Sequence, residues 1–266
     1  MNDTQTITLA DGRKLCFARY GAPKGKPVIY LCGGGMSRLD GEQFDSEARR
    51  SGVEIISTDR PGCGGSSPEP TRTFLSYADD LKQLADRLGI GRFVVAGMSN
   101  GGAFAMAAAA RLPERVSAVI PINSSTPIRD PVARKVSPLS VRLGYAAMKY
   151  DLLARYAQWS RNRIIESLEA GSRVRRAMSE ANAQPQASYI KEEMRLAGSP
   201  WGFDHTAITQ PVDIFTGDRD GGYRYSPFWA RSLRSGRVHV FAGGHGDYTA
   251  PDVIARIVKV MASALL

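Results

Sequence analysis

Short runs of apolar residues alternate along the chain with longer segments in which apolar positions recur every three to four residues. Uninterrupted apolar runs are typical of strands buried on both faces, and the longer period is typical of amphipathic helices. The strand-like runs cover residues 28–32, 53–58, 93–96, 116–122, 212–216 and 238–241. The helical patterns cover residues 74–88, 102–111 and 252–265. This alternation predicts βαβ units and a parallel sheet with helices on both faces.

The N-terminal segment has a different pattern. Residues 6–9 and 14–20 alternate in character on either side of Asp11-Gly12, which is a strong turn signal. We therefore expect a β-hairpin before the first buried strand.

Residues 128–200 hold several helical patterns and no convincing strand, the clearest being 139–156 and 188–196. Because this segment falls between two predicted core strands, we expect a helical cap over the carboxyl edge of the sheet, where open α/β sheets bind ligands. The predicted domains are a core of residues 1–127 and 206–266 and a cap of residues 128–205.

Charged residues are distributed unevenly along the chain. The chain has 35 Lys and Arg against 26 Asp and Glu, a net charge of +9. Residues 128–200 carry 13 basic and 7 acidic residues, so 13 − 7 = 6 of the excess charges lie there. This segment either attracts anionic substrates or presents solvated faces of arginine-rich helices. Its basic residues are not interleaved with aromatics as in a nucleic-acid module, so no nucleic-acid partner is expected.

Composition also bears on location and cofactors. No run approaches the roughly 18 apolar residues of a membrane span, and no secretory signal is evident, so we expect no membrane partner. Cys16, Cys32 and Cys63 cannot all pair within one chain and lack metal-ligand spacing. A cytoplasmic location without a metal is the simplest expectation. No phosphate-binding, flavin or nicotinamide fingerprint is present, so we expect no cofactor. The oligomeric state stays open.

The segment with the clearest chemistry is Gly97-Met98-Ser99-Asn100-Gly101. It is a G-x-S-x-G pattern between a predicted strand and a predicted helix, the setting of a nucleophile elbow. A sharp turn there exposes the serine hydroxyl, and glycine fits beside it because it has no Cβ. The pattern predicts Ser99 as a nucleophile.

A serine hydroxyl needs a base, and the base needs an orienting acid. Of three histidines, His245 alone lies in a glycine-rich loop directly after a predicted strand, so we expect it to be the base. Asp220 follows the preceding strand and is favoured over Asp218, which falls on the turn itself. The chain order Ser99, Asp220, His245 is the one expected of an α/β hydrolase.

Together these segments resemble the α/β-hydrolase superfamily over nearly the whole chain. Further matching segments are D-R-P-G-C-G-G-S at residues 59–66, L-P-E-R-V at 112–116 and W-G-F-D at 201–204. The resemblance implies a mostly parallel eight-stranded sheet flanked by helices, an inserted cap, and the catalytic triad Ser99, Asp220 and His245.

The resemblance also implies an oxyanion hole built from the backbone N–H groups of Gly34 and Asn100. The chain departs from its relatives here, since Cys32-Gly33 stands where they usually carry His-Gly. Gly33-Gly34-Gly35 forms either a roomy hole for bulky groups or a tight turn. Further residues are predicted to line a pocket under the cap: Met36, Tyr145, Met148, Trp159 and Trp201.

The functional prediction is a cofactor-independent serine hydrolase that cleaves a small-molecule ester or lactone. One alternative uses the same triad for C–C cleavage, amide or proline-peptide hydrolysis, acyl transfer or a lyase step. Another is a non-catalytic, receptor-like ligand-binding member of the fold. The sequence does not distinguish the substrate.

Overall fold

The computed structural model describes residues 4–125, 139–147, 150–184, 192–193, 195–222 and 226–264. Eight strands form one sheet: β1 (Thr4–Thr8), β2 (Lys14–Gly21), β3 (Lys26–Leu31), β4 (Val53–Thr58), β5 (Phe93–Met98), β6 (Val116–Ile122), β7 (Val212–Gly217) and β8 (Gly236–Phe241). The helices described are α1 (Asp45–Arg50), α2 (Phe74–Arg87), α3 (Asn100–Arg111), α4 (Leu139–Ala147), α5 (Asp151–Ser167), α6 (Arg173–Ala181), α7 (Ser226–Ser232) and α8 (Pro251–Ser263).

The strand order is β1-β2-β4-β3-β5-β6-β7-β8. Strand β2 pairs antiparallel with both β1 and β4, and all other neighbours are parallel. The mostly parallel eight-stranded sheet and its N-terminal hairpin are thus confirmed. In register, Leu31 lies beside Gly97, so the loops after β3 and β5 leave the sheet side by side.

The sheet is covered on both faces, and its central strands are therefore buried. Strands β4 and β5 are buried along their whole length. Alternate residues face two separate cores: Ile29 packs in one and Tyr30 in the other. Helices α2 and α3 contribute to the first core, and α8 contributes to the second.

Local sequence explains the helix boundaries nearest the site. Helix α2 begins with a capping box, in which the Thr73 hydroxyl accepts the Ser76 N–H at 3.0 Å and the Ser76 hydroxyl accepts the Thr73 N–H at 2.9 Å. Helix α3 is buried from Asn100 to Ala109, and its many alanines let it pack closely against the sheet.

The helices at residues 139–167 differ from the prediction. The pattern at residues 139–156 predicts one helix, yet α4 ends at Ala147 and α5 begins at Asp151. Tyr150 before α5 is extended, with φ −91° and ψ 125°, which interrupts the helix. Most of the predicted helix at 188–196 lies outside the described residues. Sequence periodicity did not indicate α1 or α7, and α6 lies within residues 128–200, where several helical patterns were predicted.

Candidate functional site

Ser99 occupies the turn between β5 and α3. Its backbone has φ 52° and ψ −120°, a left-handed conformation that favours glycine. Hydrogen bonds hold it there: its N–H donates to Ile122 O at 2.8 Å, and its carbonyl accepts from Gly102 N at 3.1 Å and Ser125 N at 3.0 Å. The side chain therefore leaves the sheet at the N-terminus of a buried helix, whose first N–H groups have no intrahelical partner.

The glycines of the motif are required by close backbone approach. A Cβ on Gly97 would lie 2.2 Å from Gly101 O, and a Cβ on Gly101 would lie 2.1 Å from Leu31 O. Both distances are far below van der Waals contact. The G-x-S-x-G spacing thus allows α3 to start directly against β5 and the end of β3.

His245 and Asp220 come together from the loops after β8 and β7. Asp220 Oδ2 lies 2.5 Å from His245 Nδ1, and Asp220 Oδ1 accepts the Gly222 N–H at 2.6 Å. The carboxylate is only 4% exposed, whereas the imidazole is 54% exposed. An ionised carboxylate can only accept, so in a neutral imidazole this contact favours the tautomer with the proton on Nδ1 and leaves Nε2 as the acceptor.

The other acid considered from sequence has a different partner. Asp218 Oδ1 accepts the Gly243 N–H at 2.9 Å, so it braces the loop that leads to His245. His239 lies on β8, where its Nε2 is 2.7 Å from Asp213 Oδ1.

Asn123 contacts the loop that carries His245, a contact that the sequence analysis did not predict. It directly follows β6 and has φ 42°, which asparagine tolerates better than most residues. Its Nδ2 donates to His245 O at 3.0 Å, and its Oδ1 accepts the Gly217 N–H at 2.9 Å. It therefore joins the ends of β6 and β7 to the histidine loop. A polar residue just past an apolar strand was the available signal.

The loop after β3 lies against the serine. A Cβ on Gly33 would lie 2.6 Å from Met98 Sδ and 3.6 Å from Ser99 Cβ. Gly33 to Met36 form a tight turn: the Met36 N–H donates to Gly33 O at 3.1 Å, and Gly35 has φ +77°. Positive φ at the third residue is the feature of a type II turn that calls for glycine.

Cys32, at the start of this loop, is a buried thiol. Burial raises the pKa of Cys32 to about 12, although the nearby Arg60 charge acts in the opposite direction. Its Sγ–H donates to Met36 O at 3.0 Å. A protonated, buried thiol is a poor nucleophile, so this residue acts as part of the loop's packing.

A buried carboxylate lies next to the turn that carries Ser99. Glu193 Oε2 accepts Asn100 Nδ2 at 2.6 Å, and its Oε1 accepts Arg60 Nε at 3.0 Å and Arg72 Nη2 at 3.1 Å. Burial alone would raise the pKa of Glu193, but the charges of Arg60 and Arg72 and the Asn100 hydrogen bond outweigh it and lower the pKa. No sequence pattern indicated this cluster.

The residues predicted to line a pocket are dispersed. Met36 is half-buried beside the second core, and Trp201 packs in the first core, its ring centroid 6.1 Å from that of Phe74. Trp159 is 58% exposed and stacks on Tyr156. Tyr145 lies on α4, and Met148 falls outside the described residues. Their pocket-lining role stays a prediction.

Neither a metal cluster nor a membrane-spanning helix is present among the described residues. Within the described ranges, no cluster of three or more His, Cys, Asp or Glu side chains is arranged to hold a metal ion. In the same part of the chain, no helix combines the length and apolar character needed to cross a membrane.

An eight-stranded, mostly parallel sheet in this order, flanked by helices, is the α/β-hydrolase fold. A family model described as "alpha/beta hydrolase fold" matches residues 26–248. The chain therefore belongs to the α/β-hydrolase family.

Individual relatives agree on the fold. A proline iminopeptidase of Neisseria gonorrhoeae is 34% identical over 120 residues, which cover 43% of this chain and 37% of that protein. A solved esterase from Exiguobacterium antarcticum has a TM-score of 0.76 and 18% identity, covering 98% of both chains. An esterase from Thermogutta terrifontis has a TM-score of 0.73 and 21% identity, covering 99% of both chains. The chain matches less than half the length of the curated relatives with which its sequence aligns, the proline iminopeptidase among them.

Proposed function

We propose that the protein is a serine hydrolase that cleaves a small-molecule carboxylic ester or lactone through an acyl-enzyme on Ser99. The observation that carries this proposal is the hydrogen-bonded pair of His245 and Asp220 at the sheet edge where Ser99 occupies its strained turn. The resemblance of the fold to two solved esterases supports the ester class.

In the proposed acylation step, Ser99 Oγ attacks the acyl carbon and its proton passes to His245 Nε2. The bond from the acyl carbon to the alkoxy oxygen then breaks, and the alcohol leaves with the proton from His245. Asp220 supports this step because its contact with Nδ1 fixes the tautomer that leaves Nε2 able to accept a proton.

In the deacylation step, water attacks the acyl carbon while His245 Nε2 takes its proton. The ester bond to Ser99 Oγ breaks, and the serine recovers its proton from His245. In both steps the negative charge on the substrate oxygen would be held by the backbone N–H groups of Gly34 and Asn100. Each such donor contributes about 3–4 kcal/mol to the stabilisation of the transition state.

We also propose that residues 128–205 form a cap whose helices cover the sheet edge above this site. Three contacts support this division. Glu193 binds Asn100, Arg161 donates to Gly35 O, and Glu180 pairs with Arg38 at 2.7 Å. A cytoplasmic location is proposed because the three cysteines cannot all pair within one chain and lack metal-ligand spacing.

Cleavage of an amide after an N-terminal proline is a second candidate. The proline iminopeptidase relative, 34% identical over 120 residues, is the observation that favours it. The same three residues would perform the chemistry, so only the substrate pocket distinguishes the two. Parallel assays with p-nitrophenyl esters and with proline p-nitroanilide separate them by the ratio of their kcat/KM values.

The proposal is tested by labelling the protein with a fluorophosphonate probe and mapping the modified residue. We expect the label on Ser99, no label in Ser99→Ala, and loss of ester turnover in that variant. Ser263→Ala, which alters an exposed serine on α8, is the matched control and keeps both properties. Folded protein that binds small esters but leaves Ser99 unlabelled would falsify the mechanism and favour the receptor-like alternative.

A further inference from the structure

Arg60 connects the loop after β4 to the loop after β3. Its guanidinium is completely buried, which is rare for arginine and requires that its donors be satisfied. Nη1 donates to the carbonyl of Cys32, and Nη2 donates to the carbonyl of Gly33 at 2.9 Å. One planar side chain therefore donates hydrogen bonds to two successive carbonyls of the loop that lies against Ser99.

These hydrogen bonds to carbonyl groups also restrict the direction of the N–H groups in the same peptides. A trans peptide is planar, so its C=O and N–H point in opposite directions. Fixing the carbonyl of Gly33 therefore also fixes the N–H of Gly34, the proposed oxyanion donor. The Met36 N–H donates to the same carbonyl at 3.1 Å and also restrains this peptide. Arg60 adds to that restraint, which matters because consecutive glycine peptides otherwise rotate at little cost.

We propose that Arg60 is the positioning residue of the oxyanion hole: it holds the Gly33-Gly34 peptide with its N–H toward the substrate oxygen. This inference rests on the proposed serine-hydrolase function. The family resemblance places a histidine that helps hold this loop where the chain has Cys32. Arg60 reaches the same stretch of backbone from the neighbouring strand.

The surroundings of Arg60 hold it in one orientation. Its Nε donates to Glu193, and its Cζ lies 5.4 Å from the centroid of the Phe104 ring on α3. The same Glu193 carboxylate accepts the Asn100 side chain at 2.6 Å. Asn100 supplies the other proposed oxyanion donor. The segments of both proposed donors are therefore hydrogen-bonded to the buried pair of Arg60 and Glu193.

Two substitutions separate positioning from plain structural support. Arg60→Lys keeps the positive charge beside Glu193 but cannot donate to two carbonyls in one plane. Arg60→Gln removes the charge and leaves Glu193 paired with Arg72, so buried charges stay balanced. Phe93→Leu is the control for general loss of stability, because Phe93 is buried at the far end of β5.

The experiment measures kcat and KM for a p-nitrophenyl ester, the inhibition constant of an alkyl trifluoromethyl ketone, and Tm. The ketone forms a tetrahedral adduct on the serine and places an oxyanion in the hole. Removing one oxyanion donor outright lowers kcat by about 10²–10³. For both Arg60 variants we expect kcat to fall by about 10–100-fold, the ketone to bind more weakly by a similar factor, and KM to change by less than about 3-fold. Phe93→Leu lowers Tm but leaves these ratios unchanged.

The outcomes separate this inference from the proposed function. If the wild-type protein is not labelled at Ser99, the proposed function fails first. If the wild-type protein is labelled, and either folded Arg60 variant keeps kcat and ketone affinity within 3-fold, Arg60 is not a positioning residue and the inference is overturned. Losses in kcat that appear equally in Phe93→Leu also overturn it.

Discussion

Replacing Ser99 with glycine should stabilise the protein while abolishing its proposed activity. The residue has φ 52° and ψ −120°, held by three backbone hydrogen bonds to its neighbours. A side chain in this region clashes with its own backbone, whereas glycine adopts the conformation freely. The strain belongs to the Cβ and not to the hydroxyl, so Ser99→Ala retains it.

The magnitude follows from two opposing contributions. Relief of such backbone strain is worth about 1–3 kcal/mol. This gain in stability is reduced by about 0.5–1 kcal/mol, because glycine increases the conformational freedom of the unfolded chain. From the midpoints of these ranges, we expect Ser99→Gly to exceed Ser99→Ala by about 1 kcal/mol in the free energy of unfolding, and by at most about 2.5 kcal/mol. At about 2–4 °C per kcal/mol for a domain of this size, the midpoint difference corresponds to a rise in Tm of roughly 2–4 °C.

The assay is urea and thermal unfolding of both variants, neither of which turns over substrate. Ser117 provides the negative control, because it lies within β6 and glycine should be less stable than alanine there. Lys24, with φ 62°, provides a positive control in a loop. If Ser99→Gly is no more stable than Ser99→Ala, the turn stores no strain and the reasoning is wrong.

Three further predictions concern the surroundings of the serine. Native protein at neutral pH should leave Cys32 unmodified by iodoacetamide, because burial raises its pKa to about 12; rapid alkylation in the folded state would contradict this. Gly101→Ala should lower stability by about 1–3 kcal/mol, since its Cβ would lie 2.1 Å from a carbonyl of β3. Gly91→Ala is the control: nothing lies within 4 Å of its added Cβ, so it should leave the stability nearly unchanged. If Gly101→Ala and Gly91→Ala unfold at the same midpoint, the predicted clash at Gly101 is refuted. Asn123→Ala should lower kcat by about 10-fold and leave KM unchanged, because the His245 loop loses its anchor; unchanged kcat with a lower Tm would reduce Asn123 to a structural role.

The strands and the turn that carries Ser99 could be predicted from local sequence. An uninterrupted apolar run predicts a strand buried on both faces, and each of the strand-like segments predicted here overlaps a strand of the structure. The G-x-S-x-G pattern indicated Ser99 because glycine spacing and a strand-to-helix change are both local features. Residues 139–156 were harder to predict, since nothing in their periodicity indicates the extended backbone at Tyr150.

What the sequence determined by itself is the order of the strands and the identity of Ser99, Asp220 and His245 as candidates, because both depend on residue types over a few neighbouring positions. Tertiary structure decided which partners meet. It placed His245 against Asp220, while Asp218 braces Gly243. It also joined Arg60 to Glu193 across 133 residues of sequence. Such pairings depend on how the sheet and its loops bring distant segments together, and no local pattern records that.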